Sequence, residues 1–139
     1  MTSENGSPRY RVIPSDKFAR ALKTLKKSYK SKREAQAFAD AIGDIVDNLI
    51  DQPRPDSSRL EPWPANLASP NDWEFRKLVF PIPARKGASG EGRLMYLVND
   101  QRLLVRLVWL YTHEEFKKRP PEKDLKTLMR ELLDDPESS

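Results

Sequence analysis

The stretch Gly92–Arg93–Leu94–Met95–Tyr96–Leu97–Val98–Asn99–Asp100–Gln101–Arg102–Leu103–Leu104–Val105–Arg106–Leu107–Val108–Trp109–Leu110–Tyr111–Thr112 decides the fold. Two runs dense in β-branched, aromatic and leucine residues, types that suit a pleated and half-buried surface, flank a short polar break at Asn99–Asp100. That pattern predicts a β-hairpin with strands over 92–98 and 102–112. Upstream, Trp73 to Ile82 has the same make-up and reads as a third strand, joined to the hairpin by the flexible connection Lys86–Gly87–Ala88–Ser89–Gly90–Glu91.

The part of the chain before this meander is helical. Phe18, Ala21, Leu22, Leu25 and Tyr29 recur at helical spacing with Lys23, Lys26, Lys27 and Lys30 on the opposite side, which predicts a basic amphipathic helix capped by Ser15 and Asp16. Ser31 with Glu34 three residues on forms a capping box, and Ala35, Phe38, Ile42, Ile45, Val46 and Leu49 carry a second helix to Pro53. A short strand over residues 9–13 precedes both and ends at Pro14, which cannot donate to a ladder. Pro53, Pro55, Pro62, Pro64 and Pro70 predict that residues 53–72 hold no regular element, with Trp63 and Leu67 pinning the loop. Pro120 and Pro121 open a last helix whose Leu125, Leu128, Met129 and Leu132 face inward.

The expected fold class is therefore α+β. An N-terminal strand and helical hairpin lie against an antiparallel sheet (β-α-α-β-β-β), a C-terminal helix follows, and one sheet face is left open. With 139 residues there is room for one core, assigned to residues 9–133, with residues 1–8 and 134–139 expected to be disordered. The chain has no cysteine, which excludes disulfides and thiolate metal sites. The first residues do not read as a signal peptide and no apolar run is long enough to span a bilayer, so a cytoplasmic location and no membrane partner are expected. The net charge is only +4 but is blocked: residues 1–33 and 73–119 are strongly basic, whereas 34–72 and 120–139 are acidic. Basic blocks that meet on one folded face favour polyanions, although a solvated lysine-rich helix face would give the same counts.

The segment Trp73–Glu74–Phe75–Arg76–Lys77–Leu78 followed by Gly92–Arg93–Leu94–Met95–Tyr96–Leu97–Val98, together with the order of elements, resembles the RelE/ParE toxin superfamily, in particular its RelE-like and HigB-like members. The resemblance runs over about residues 9–133. It implies a toxin of a type II toxin–antitoxin system: an endoribonuclease, or mRNA interferase, that cleaves mRNA on the ribosome through basic residues on the open sheet face and thereby inhibits translation. The family's cutters use no metal and no cofactor. The resemblance also implies a cognate antitoxin protein as partner, and operator DNA reached through that antitoxin. Two other readings stay open at this point, a ParE-like inhibitor of DNA gyrase and a non-catalytic RelE-fold binding protein.

Cleaving RNA by its own 2′-hydroxyl concentrates negative charge on the phosphate, so fixed cations aimed at it are the first requirement. Arg93 is the leading candidate, since an arginine can bind a phosphate bidentately and keeps its charge; the bland alternative is that it is simply exposed at the strand start or paired with Glu74 or Glu91. Arg76 and Lys77 are adjacent and point to opposite faces, so only one can join Arg93, and Lys77 matches the family's basic position. His113, the single histidine, could serve as acid or base beside Tyr111, Glu114 and Glu115. The family's last strand often ends in arginine or lysine, and the two glutamates here leave the proton donor open. Lys117, Lys118 and Arg119 restore positive charge and are expected to hold RNA. Arg106 either faces the open side beside Arg93 or pairs with Asp44 or Asp47, and Trp109, on the other parity, belongs to the core. The candidate catalytic set is thus Lys77, Arg93 and His113, with Arg76, Arg106, Lys117, Lys118 and Arg119 for RNA binding. Lys86–Gly87–Ala88–Ser89–Gly90 lacks the spacing of a nucleotide-binding loop, and no metal ligand set is expected.

Overall fold

The computed structural model describes residues 9–138. In chain order the elements are β1 (Arg11–Pro14), α1 (Asp16–Lys27), α2 (Lys32–Asp51), β2 (Ser58–Leu60), β3 (Glu74–Pro81), β4 (Glu91–Asn99), β5 (Leu104–Thr112) and α3 (Glu122–Asp134). Short 3-10 turns at Gly87–Gly90 and Pro136–Ser138 precede β4 and follow α3. The expected α+β class and element order hold. The expectation for residues 1–8 lies outside the described residues.

Local chemistry sets the helix boundaries. Ser15 caps α1 by accepting the Phe18 N–H at 3.0 Å, and its own hydroxyl donates to the Val108 carbonyl at 2.9 Å, so one side chain starts the helix and ties it to the sheet. Ser31 accepts the Glu34 N–H at the start of α2, as the capping box predicts. The five strands lie in the order β1-β5-β4-β3-β2, antiparallel except for β1, which runs parallel to β5 with Arg11 opposite Leu104.

The strand β2 was not expected. Proline forbids regular structure only where its missing N–H or fixed φ is in the way. Ser58–Arg59–Leu60 is a proline-free window, and it adds to the edge of β3 with Ser58 opposite Leu78. A chain of side-chain hydrogen bonds secures it. Tyr96 gives its one proton to the Pro53 carbonyl at 2.7 Å, so Ser58 donates to Tyr96 at 2.7 Å and accepts from Arg76 Nε at 2.8 Å.

The open sheet face also needs correcting, because both faces carry a core. On one, Phe18 and Leu25 of α1 and Phe38, Ile42 and Leu49 of α2 pack on Leu78, Leu94, Tyr96, Val98, Val105 and Leu107. On the other, Leu125, Met129 and Leu132 of α3 cover Phe75, Met95, Leu97, Leu104, Val108 and Tyr111, with Trp63 and Leu67 of the proline-rich loop beside them. The amphipathic period of α3 requires this, since its leucine stripe must be buried somewhere. The end of that face bearing Lys77 and Arg93 opens to a cleft.

A β-bulge changes the parity of β5. Met95 stands opposite Trp109 while Tyr96 stands opposite Leu107, so Val108 is an extra residue, and Val108 and Trp109 both join the α3-side core. Trp109 and Arg106 therefore share a face, contrary to strict alternation, although Trp109 is core as expected. The end of the chain differs too. Residues 134–139 were expected to be disordered, yet Asp134 closes α3, and the Pro136–Ser138 turn folds back so that Ser138 is buried.

Candidate phosphate-binding cleft

At the open end of the α3-side face lies a cleft of about 530 Å³, lined by Glu61, Lys77, Arg93, Lys117, Lys118, Arg119, Pro120, Pro121 and Glu122. Four separate pieces of chain meet here. β2 delivers Glu61 at its end, β3 delivers Lys77, β4 delivers Arg93, and the segment between β5 and α3 supplies the Lys117–Arg119 run. Lys77 lies opposite Met95, and Arg93 opposite Val79 and Tyr111, which places both cations on one face.

Three of the cations, Lys77, Arg93 and Arg119, are already engaged by carboxylates. Arg93 donates to Glu91, its pair as the bland alternative foresaw, and its other terminal nitrogen lies 2.6 Å from His113 Nδ1. Because a guanidinium can only donate, Nδ1 accepts and the neutral imidazole carries its proton on Nε2. The His113 N–H is in turn fixed to the Glu91 carbonyl at 3.0 Å. Glu115, one of the two acids that left the proton donor open, is held instead by the Thr112 N–H at 3.1 Å.

Arg119 forks onto Glu122 at 2.6 and 2.7 Å and donates to the Pro62 carbonyl at 2.7 Å. That fork, together with the attraction of the Arg119 charge, holds the Glu122 carboxyl below its ordinary range. Glu61 lies between two of the cations: Lys77 Nζ is 3.5 Å from Oε2 and Arg119 3.4 Å from Oε1. Arg93 Nε and the Tyr111 hydroxyl are buried with no protein partner. Burial pushes the Tyr111 phenol well above its ordinary range, and the nearby Glu61 charge adds to this, while Arg93 and Arg119 oppose it.

The structure thus brings together Lys77, Arg93, His113, Lys117, Lys118 and Arg119. It does not include Arg76, which faces the helical hairpin opposite Tyr96 and bonds to Ser58 and Glu74. Parity dictates this, as Lys77 takes the other face. Nor does it include Arg106, which pairs neither with Asp44 nor with Asp47. Arg106 is buried beneath the end of α3, 3.3 Å from Asp135 and 2.6 Å from the Ser138 hydroxyl. Glu61 and Tyr111 were missed as site residues. A short strand between prolines gives no periodic signal for Glu61, whereas pairing the hairpin across its turn would have put Tyr111 near Arg93.

Among the described residues no group of three or more acidic or histidine side chains is placed to hold a metal ion, and no helix is long and apolar enough to cross a membrane. No protein-family model matches the chain, and no curated protein matches it. Among solved structures, it is similar to the RelE–RelB complex of the archaeon Pyrococcus horikoshii OT3, at 20% identity and a TM-score of 0.47 over 75% of this chain and 94% of the other. It is also similar to a free-state mutant of the Escherichia coli toxin RelE, at 17% identity and a TM-score of 0.45 over 86% of this chain and 95% of the other.

Proposed function

We propose that this chain is an RNA-cleaving toxin of a type II toxin–antitoxin system, acting on mRNA without a metal and in the setting of the ribosome. The observation that carries the reading is the single cleft in which Lys77, Arg93, Lys117, Lys118 and Arg119 converge while His113 is bonded to Arg93. Such a cleft fits a phosphodiester better than a neutral ligand. Arg93 would turn its fork to the scissile phosphate, where fixed donors are worth most against the charge that develops. In the cleavage step the 2′-oxygen loses its proton and bonds to phosphorus, the bond from phosphorus to the 5′-oxygen breaks, and that oxygen takes a proton. The products are a 2′,3′-cyclic phosphate and a 5′-hydroxyl. Once Arg93 engages the phosphate, His113 Nδ1 is freed of the guanidinium and can serve as acid or base in that step. Lys117 and Lys118, both exposed, would follow the flanking backbone. A cognate antitoxin would silence the chain by covering this cleft, and would carry it to operator DNA.

A second reading, a binding protein that cuts nothing, is favoured by one observation: Lys77, Arg93 and Arg119 each have a carboxylate partner within the fold. Inducing the wild type and Arg93→Ala in cells without antitoxin, with mRNA 5′ ends mapped alongside growth, separates the two. Arrest with new ends that vanish in the variant supports cleavage. Arrest without new ends points to inhibition of another target such as DNA gyrase, and no arrest to binding alone.

A further inference from the structure

Among the described residues, Glu61 is the one acid whose carboxylate reaches two different cations of the cleft from a separate piece of chain, Lys77 on one oxygen and Arg119 on the other. Its side chain is only 9% exposed. Both contacts are long, 3.5 and 3.4 Å, whereas Arg119 holds Glu122 at 2.6 Å. They rest on charge more than on hydrogen-bond geometry. The backbone at Glu61 is firm, since its N–H donates to the Phe75 carbonyl at 2.8 Å and the next carbonyl, that of Pro62, holds Arg119 at 2.7 Å. The carboxylate can therefore swing away about its side-chain torsions while the strand and Arg119 stay in place. Behind the cleft wall, Arg93 Nε and the Tyr111 hydroxyl are buried without a protein partner, and the Glu61 charge acts on the Tyr111 phenol.

We propose that the Glu61 carboxylate is a resident stand-in for phosphate, occupying the seat between Lys77 and Arg119 until one phosphate of a single-stranded RNA displaces it. The seat is thereby kept charge-neutral and ordered in the free protein, and weak anions are turned away. The proposal rests on the RNA-binding side of the reading above and assigns the ligand of this seat as a phosphodiester.

The test is binding of a 2′-O-methyl single-stranded oligonucleotide, which cannot be cleaved, to the wild type, Glu61→Gln, Lys77→Gln and the double variant, followed by fluorescence anisotropy across a salt series. Displacement obliges the freed carboxylate to take up a solvent cation, so Glu61→Gln should bind roughly tenfold more tightly, with a salt slope steeper by about one counterion. Lys77→Gln should weaken binding more in the Glu61→Gln background than in the wild type, because only there is Lys77 unopposed. A thermal melt of each variant shows that it is folded. Unchanged or weaker binding by Glu61→Gln, or additive effects in the double variant, overturns the proposal. Loss of cleavage by Glu61→Gln without tighter binding also overturns it, since the carboxylate would then be a proton acceptor. If the wild type cleaves RNA and Glu61→Gln does not tighten, this inference fails alone. If the wild type cleaves nothing but the variant tightens, the seat stands and the cleavage reading fails.

Discussion

Arg93 and Tyr111 face each other across β4 and β5, and each leaves one buried polar group, Nε and the phenolic hydroxyl, without a protein partner. Removing an unpaired buried hydroxyl does not destabilise a fold and can add about 1 kcal/mol. Because burial holds the phenol protonated, the group is a donor across the neutral range. Tyr111→Phe should therefore melt at the wild-type temperature or slightly above it, yet cleave RNA about 10- to 100-fold more slowly if that donor meets the substrate. Unchanged cleavage would remove Tyr111 from the site.

Ser58 joins Arg76 to Tyr96 and, through Tyr96, to the Pro53 carbonyl. Ser58→Ala leaves a buried guanidinium N–H without its acceptor and should lower stability by about 1–3 kcal/mol in urea denaturation. Hydrogen exchange should speed up at Ser58 and Glu61, whose N–H groups bond to the Pro55 and Phe75 carbonyls. If those amides stay protected, the side-chain chain is not what holds β2.

Arg106 belongs to stability. Its hydrogen bond to the buried Ser138 hydroxyl is charge-assisted, so Ser138→Ala should lower unfolding free energy by about 1–2 kcal/mol. Arg106→Met fills similar volume without a charge to satisfy, and the Ser138 effect should disappear in that background. Neither change should alter RNA affinity in the anisotropy assay. Weaker binding by Arg106→Met would return it to the interface.

Asp100 accepts from the Tyr10 hydroxyl at 2.6 Å and from Arg54 at 2.8 Å. Burial alone would raise its carboxyl, but these two bonds and the Arg54 charge outweigh burial and hold it below the ordinary range. Its contribution is present above the unfolded carboxylate value, near pH 4, and is lost as the pH falls through the lower folded value. The side chain is 57% exposed, so screening keeps the effect to about 0.5 kcal/mol or less. Asp100→Asn should lower stability slightly at pH 7 and flatten the acid limb of the stability curve below about pH 4. An unchanged limb would show that other carboxylates carry it.

The helices were legible because Phe38, Ile42 and Leu49, or Leu125, Met129 and Leu132, repeat at a period that only a helix satisfies. The meander was legible because its hairpin strands are apolar on both sides of one polar break. That same two-sided burial was also the sign, left unread, that α3 covers the second face, since a strand with one wet face alternates. That Lys77, Arg93 and the Lys117–Arg119 run line one cleft agrees with the expectation drawn from charge, strand parity and, for Lys77, the family resemblance. Arg76 failed on parity and Arg106 on its destination, which depends on a turn that the sequence presents only as a polar tail. The bulge at Val108 has no local marker, so the face of Trp109 relative to Arg106 could not be read by counting.

The parallel pairing of β1 with β5 joins Arg11 to Leu104. Contacts so far apart in sequence are slow to form, and here the first strand has no partner until nearly the whole sheet has left the ribosome. Arg119, a wall of the cleft, emerges later still. The face that carries Lys77 and Arg93 is thus completed only after β5 has been made, and the cleft only after Arg119 has followed it.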